Sequence, residues 1–382
     1  MPHDKTAAFI PVRLTSTRLP EKHLKTIGTK SIISWVIHQL KRSVEIDVIV
    51  ICCPNEPETE KLRPIAHSEA VELFIYEGSV DDVVGRLTKA AETYKANICV
   101  LASGDCPLLC PETIDSMVRL LKADPDAGHA AFMPLNNYLP IHEGIVISRR
   151  WLWQRAEELS DTPELREHHF PVFLRGVYPE KFADVKTIFF QDEDCFYSIR
   201  HRISVDTPFD LTFMNTLYDE LKKLSQDFTL QSAIALMHGN NTIGMINDRV
   251  YQKGFGEQSY RVLFICDNDG VNNCADLIRC LDTADALVHY HGIGAEFLVA
   301  DRDASSIVSE RGYKAVTGTR GDILKLSMKY SALVYDIDKY YNIEIPLAGS
   351  CKVRENITLL KCPCIESVIE SVADEIAKLI KK

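Results

Sequence analysis

Short continuous apolar runs alternate along the chain with stretches whose apolar residues recur every three or four positions. Ala7–Val12, Asp47–Cys52, Glu72–Tyr76 and Ile98–Ala102 read as strands. Between them, Ser31–Arg42 places Ile32, Ile33, Val36, Ile37 and Leu40 on one helical face, Glu56–Ser68 is helical, and Asp81–Tyr94 turns Val84, Leu87 and Ala91 inward. Pro111–Lys122 continues the series as a helix. Apolar strands separated by helices imply a mainly parallel sheet covered on both faces. Ligands in such sheets sit beyond the carboxyl ends of the strands, which directs attention to the loops after Val12, Cys52, Tyr76 and Ala102.

From Ala130 to about Asn247 the alternation is less regular. Strands are expected at Ala130–Pro134, Gly144–Ser148 and Ile199–Val205, and helices at Pro208–Leu224 and Leu230–His238. Asn247–Tyr260 carries two glycines and little periodicity and reads as a linker. A second α/β unit follows, with strands at Arg261–Cys266, Ala295–Ala300 and Ala332–Asp336, a helix at Ala275–Tyr290, and an amphipathic helical tail at Cys364–Lys382. The expected division is therefore 1–247, a linker at 248–260, and 261–382, and 382 residues is indeed too long for one ordinary domain.

Composition narrows the function. Hydrophobic residues at 46% and charged residues at 25% are globular values. No apolar run approaches the ~20 residues of a bilayer span, and the first residues, MPHDKTAAFIPVR, show no signal-peptide pattern. A soluble, cytoplasmic protein is the expectation. A net charge of −11 disfavours nucleic-acid binding yet leaves room for a small anion held by a local basic cluster. Twelve cysteines without a secretory signal read as reduced thiols, and the lone Cys362-Pro-Cys364 pair lacks the second pair of a structural zinc site.

The candidate chemistry begins directly after the first strand. FIPVRLTSTRLPEKHLK (Phe9–Lys25) offers Arg13, Arg18, Lys22 and Lys25, with Thr15, Ser16 and Thr17 among them. Forked guanidinium donors, point-charge ammoniums and hydroxyls suit a polyphosphate, although a basic loop is as often simply solvated. It lacks the GxxxxGK(S/T) of an ATPase P-loop. Ser103-Gly104-Asp105 ends the strand ICVLA, and Ser204-Val205-Asp206 precedes a helix. Asp105 alone reads equally as a helix cap or turn residue, and a single aspartate such as Asp206 is more often a cap than a ligand. Two of them with a basic, hydroxyl-rich loop make a Mg²⁺–triphosphate site the better reading.

IPVRLTSTRLPEKHLKTIG, EGSVDDVVGR (Glu77–Arg86), SGDCPLL, REHH (Arg166–His169) and VDTPFDL (Val205–Leu211) occur in the order found in a known family. Over roughly residues 6–245 the chain resembles the cytidylyltransferases, nearest the spore-coat polysaccharide biosynthesis protein F type and related to CMP-KDO and acylneuraminate cytidylyltransferases. The resemblance implies a nucleotide-diphospho-sugar-transferase-like, Rossmann-like α/β fold with a mixed sheet, and a second smaller Rossmann-like domain. It implies an enzyme that joins CTP to an acidic or phosphorylated sugar, releasing pyrophosphate, for surface glycan synthesis. By the same resemblance Arg13, Ser16, Arg18 and Lys22, with Pro11 and Val12 beside them, form the triphosphate loop. Asp105 and Asp206 hold Mg²⁺, Ser103 lies near the base, and Glu143, Arg166 and His168 face the acceptor. Arg13, Lys22 and Asp105 carry the catalytic charge stabilisation. His168 or His169 could be a general base, but a surface or capping role is favoured. Relatives often pair through the region after Ala130, so a homodimer is among the expectations.

Two departures stand out. Glu21 replaces a usual glycine beside Lys22, and Glu143 lengthens a usual aspartate. An extra carboxylate near a triphosphate weakens binding unless it pairs or points away. The second unit resembles the first half of a nucleotide-sugar hydrolase of the pseudaminic acid pathway, around Arg279-Cys280. Its loop Gly270–Ala275 has lost most glycines and Asp276 replaces the histidine, so a non-catalytic appendage is expected, with a hydrolytic role for Asp276 as the minor alternative. Two other readings of the whole chain stay open. One is a retired nucleotide- or nucleotide-sugar-binding regulatory subunit; the other is a cytidylyltransferase for a phosphonate or another small acidic acceptor.

Overall fold

The computed structural model describes residues 4–16, 18–167, 179–248, 250, 261–266, 274–299, 302–317, 332–337, 340–347, 350–358, 373–374, 376–378 and 380–381. By contacts the chain divides into two units. Residues 1–14, 21–205 and 211–248 form the first; 15–20, 206–210 and 249–382 form the second.

In the first unit, β1 (Thr6–Pro11) is followed by the two-residue strands β2 (Thr26–Ile27) and β3 (Lys30–Ser31), which form a small hairpin. Then come α1 (Ile32–Leu40), β4 (Val48–Pro54), α2 (Arg63–Ser68), β5 (Glu72–Tyr76), α3 (Val83–Thr93), β6 (Ile98–Ala102) and α4 (Pro111–Ala123). The remainder is β7 (Ala127–Phe132), β8 (Ile145–Arg149), α5 (Arg150–Leu159), α6 (Pro163–Arg166), β9 (Lys186–Phe190), α7 (Pro208–Lys223), α8 (Leu230–Gly239) and α9 (Asn241–Gly244). The sheet order is β5-β4-β1-β6-β8-β7-β9. Pairs from β5 to β6 are parallel, β8 runs antiparallel to β6 and β7, and β9 is parallel to β7.

Period-two alternation along β1 sorts its side chains between two cores. Ala8 and Ile10 pack with Ile33, Val36, Ile37, Ile114 and Val118 on one face. Ala7 and Phe9 pack with Val84, Leu87, Ala91 and Trp153 on the other. Burying each large apolar side chain contributes ~1.5–3 kcal/mol, and Phe9 meets Trp153 edge-on at 5.4 Å between ring centres. With both faces covered, the open positions of the central strands are their carboxyl ends.

Two sequence expectations need correction. Ile199–Val205 is not a strand, because its buried residues Ile203 and Val205 lie in irregular backbone and the Val205 N–H donates to the Asp105 carbonyl at 2.9 Å. The edge strand of this sheet is β9, KTIFF, which the sequence pattern did not predict. The helix expected at Glu56–Ser68 splits into a 3-10 turn, Pro57–Leu62, followed by α2, with a proline near the start of each piece.

The second unit contains β10 (Arg261–Cys266), α10 (Cys274–His291), β11 (Gly294–Val299), α11 (Arg302–Glu310), β12 (Lys314–Thr317), β13 (Ala332–Ile337), β14 (Tyr340–Leu347) and β15 (Ser350–Thr358). Its sheet order is β12-β11-β10-β13-β14-β15, parallel through β13 and antiparallel beyond. Val262, Phe264, Leu281, Ala284, Phe297 and Val299 form its core, joined by Ala373, Ile376 and Ala377 of the helical tail. Cys364, the loop residues 270–273, the side chain of Asp276 and most of the expected linker lie outside the described residues. Among the described residues no helix is long and apolar enough to cross a membrane.

Candidate active site

The site is built where β1, β4, β5 and β6 end. Val12 follows β1, is buried, and donates its N–H to the Cys52 carbonyl at 2.9 Å, so the chain leaves the sheet in register with β4. The next residue, Arg13, is half exposed and reaches Asp81 Oδ1 at 3.1 Å and Glu167 Oε1 at 3.6 Å. Buried Leu14 accepts at its carbonyl from the Glu21 N–H at 3.2 Å, closing the loop on itself. The hairpin beyond Lys25 is fastened to α7, where the Gly28 N–H donates to Asn215 Oδ1 at 3.0 Å and Asn215 Nδ2 donates to the Thr26 carbonyl at 3.2 Å.

Lys22 Nζ stands 2.5 Å from Asp105 Oδ2, and both side chains are largely covered. Asp105 Oδ1 also accepts from the Cys106 thiol at 3.5 Å. Gly104 is required beside it: a Cβ there would stand 3.1 Å from the Pro11 carbonyl and about as close to the His23 ring. Ser103 donates its N–H to the Gly144 carbonyl at 2.8 Å. Gly144 adopts φ 71°, and a Cβ on it would come within 2.7 Å of the Ser103 side chain and 2.6 Å of Cys106 Sγ.

Asp105 does not stand at the N-cap of α4. Cys110 precedes α4 without a side-chain cap. At α7, Thr207 and Asp210 form a reciprocal capping box: the Asp210 N–H donates to Thr207 Oγ1 at 3.3 Å and the Thr207 N–H donates to Asp210 Oδ2 at 2.9 Å. Asp206 pairs with Arg18, Nη2 to Oδ2 at 3.2 Å, in the same unit. Ser16 Oγ accepts from the Leu19 N–H at 3.5 Å within the loop.

Glu21 occupies a left-handed backbone conformation, φ 52°, where a glycine would be unstrained. Its carboxylate pairs with Lys61, whose ammonium is raised in pKa by that bond. The departure therefore resolves by an ion pair turned to a different helix rather than to Arg18 or Lys25.

Among the residues expected to face the acceptor, Arg166 Nη1 reaches both oxygens of Asp82 at 3.1–3.2 Å. Asp82 also accepts from the Tyr76 hydroxyl at 2.8 Å and caps α3 through the Gly85 N–H at 2.9 Å. Burial and the Asp82 carboxylate push the Tyr76 hydroxyl up to about 12. Glu143 is partly buried, and burial raises its carboxyl pKa against the opposing influence of Ser204, Arg202 and Ile203. His168 lies outside the described residues.

Sequence reasoning missed Asp81 and Asp82 as individual partners, although they sit in the quoted EGSVDDVVGR motif; each holds one arginine of the site. It also passed over Arg86, buried to 1% exposure with one bond of 3.3 Å from Nη1 to the Val80 carbonyl. Burial holds that guanidinium below its ordinary pKa.

A family model described as "Cytidylyltransferase" matches residues 7–234. The spore coat polysaccharide biosynthesis protein SpsF of Bacillus subtilis is 26% identical over 238 residues, covering 61% of this chain and 93% of that protein. A 3-deoxy-manno-octulosonate cytidylyltransferase of Pelobacter propionicus is 32% identical over 118 residues, 31% of this chain and 45% of the relative. Among solved structures, a cytidylyltransferase from Leptospira borgpetersenii aligns with TM-score 0.54 and 25% identity over 65% of this chain and 100% of its own. The family match ends at residue 234, before the segment 261–382, and lends no support to the hydrolase resemblance there. The match spans the strand ends and loops just described, and the chain is a member of the cytidylyltransferase family, a nucleotidyltransferase that uses CTP.

Proposed function

We propose that the protein transfers CMP from CTP to an acidic or phosphorylated sugar, with Mg²⁺, in surface glycan synthesis. The observation that carries the reading is the pairing of each candidate metal carboxylate with a cation of the phosphate loop: Lys22 on Asp105 and Arg18 on Asp206. Carboxylates compensated by loop cations suit a site that exchanges those cations for a divalent ion and phosphates. The donor set is hard oxygen, which fits Mg²⁺, an ion that keeps waters and substrate phosphates in its shell. Asp105 and Asp206 would hold it, and the chemistry it supplies when bound is neutralisation of charge on the α-phosphate and the leaving pyrophosphate.

The chain's own part is to position and to compensate charge. Arg13, Arg18 and Lys22 would grip the triphosphate, while Gly104 lets the backbone approach. The acceptor oxygen attacks the α-phosphorus in line and pyrophosphate departs, with no covalent enzyme intermediate required. Arg166, oriented by Asp82, is the group for the acceptor's carboxylate or phosphate. A homodimer through the residues after Ala130 belongs to this reading: Met133, Tyr138, Leu139 and Phe189 are exposed around the edge strand.

The test is pyrophosphate release with each nucleoside triphosphate, Mg²⁺ and a panel of ulosonic acids, sugar phosphates and phosphonates. Release with CTP and one acidic acceptor is expected; release with none of them refutes the proposal. The reading as a retired subunit draws on Glu21 and on the altered loop of the second unit; the pairing of Glu21 with Lys61 answers the first of these, and CTP–Mg²⁺ binding without turnover in the same panel would favour it.

A further inference from the structure

A buried polar cluster stands outside the residues used so far. His142 Nε2 and Asp192 Oδ2 are 2.7 Å apart, with side chains 1% and 6% exposed. Thr113 of α4 donates its hydroxyl to the same oxygen at 2.6 Å, and the Glu193 N–H donates to Asp192 Oδ1 at 2.9 Å. The imidazole stacks on Phe132 at 5.1 Å with an interplanar angle of 11° and leans on Phe196 at 4.4 Å. His142 Nδ1 is buried with no partner. Apolar residues would fill this space more cheaply, since a buried polar network costs stability wherever it is not fully satisfied.

Its place in the chain gives it a use. Two residues beyond His142, the Gly144 carbonyl receives the Ser103 N–H, and the bare Gly144 Cα is wedged against Ser103 and Cys106. Those two residues bracket Gly104 and Asp105. The Asp105 carbonyl in turn receives the Val205 N–H, one residue before Asp206. The segment 142–144 is thus bolted at one end to α4 and to the segment after β9, and at the other end supports the loop that carries Asp105.

We propose that His142, held by Asp192, is a positioning residue of the nucleotidyl transfer: it sets Gly144 against Ser103 and so fixes the Asp105 loop for the metal–nucleotide complex. The proposal rests on the reading of Asp105 as a metal ligand. It assigns His142 no contact with substrate and no proton to move.

Three variants separate positioning from simple stability. His142→Phe keeps the ring stack and removes the bond to Asp192. Asp192→Asn keeps an acceptor for Thr113 and weakens the tie. The double variant removes both partners, so no carboxylate is left buried without the imidazole, and thermal stability should recover towards wild type. The readouts are Mn²⁺ binding in the presence of CTP, followed by electron paramagnetic resonance, and the melting temperature. Each single variant is expected to weaken Mn²⁺–CTP binding about tenfold, the range typical of lost support behind a metal ligand. The double variant is expected to regain stability while its Mn²⁺–CTP binding stays weak. Binding restored together with stability would make the cluster merely structural and overturn the proposal, as would single variants that bind like wild type. A wild-type protein that binds no Mn²⁺–CTP would instead overturn the metal-site reading, and the proposal with it.

Discussion

Replacing Lys22 by Met tests whether the resting ion pair competes with the metal. Lys22 Nζ lies 2.5 Å from Asp105 Oδ2, with side chains 12% and 22% exposed. Methionine keeps most of the aliphatic stem and deletes the charge. The backbone bonds that build the turn, Leu24 N–H to the Glu21 carbonyl and Lys25 N–H to the Lys22 carbonyl, do not involve the side chain and survive. A charge-assisted bond in such partial cover is worth roughly 1.5–3 kcal/mol. A divalent ion arriving without nucleotide must displace that ammonium, so its removal should tighten metal binding by about tenfold, the factor that ~1.4 kcal/mol buys. The triphosphate loses a point charge, and CTP binding should weaken by about tenfold or more. Calorimetric titration with Mn²⁺ alone, then with CTP in excess Mn²⁺, reads the two effects separately. Opposite shifts are expected. Metal affinity without nucleotide that is unchanged or weaker in Lys22→Met would refute the exchange of cation for metal.

Other consequences follow from single contacts. Asp82→Ala removes the α3 cap, the partner of Tyr76 and the partner of Arg166 together; a loss of about 2 kcal/mol in urea unfolding is expected, with a raised KM for the acceptor and little change for CTP. Burial alone would raise the Asp192 carboxyl, but the bonds from His142 and Thr113 outweigh it and hold the pKa below the ordinary value. The advantage of wild type over Asp192→Asn should therefore be present above the ordinary aspartate range and vanish as pH falls through the lowered value, as measured by denaturant unfolding at several pH values. Burial also raises the thiols of Cys53 and Cys110 to about 11 and those of Cys52 and Cys99 further; iodoacetamide at pH 7.5 should leave these four unmodified in the native protein and label them after denaturation, as read by mass spectrometry.

What the sequence made legible follows the physics of burial. The central strands β1, β4 and β6 emerged from pattern alone, because strands covered on both faces are nearly continuous apolar runs. The edge strand β9 was missed: Lys186 and Phe189 face outward, so its pattern is that of any half-exposed segment. α5 follows β8 with no turn residue between Arg149 and Arg150, and a periodicity that changes without punctuation is hard to divide. Ile199–Val205 shows the converse, apolar residues buried singly while the backbone bonds to a distant loop instead of a ladder. In the site, residue types and order were readable, but the partnerships were not. Arg166 with Asp82 and Lys22 with Asp105 join positions more than eighty residues apart, and no local pattern encodes them. The left-handed backbone at Glu21 was equally invisible, since a glycine would signal that conformation and a glutamate hides it.

The most direct test of the account is the anomalous scattering of Mn²⁺ in a crystal grown with CTP. The expected result is a metal peak ligated by carboxylate oxygens of both Asp105 and Asp206, with the triphosphate held by Arg13, Arg18 and Lys22 and the Lys22–Asp105 pair opened. A nucleotide bound with its metal touching neither aspartate, or with Lys22 still on Asp105, would contradict it.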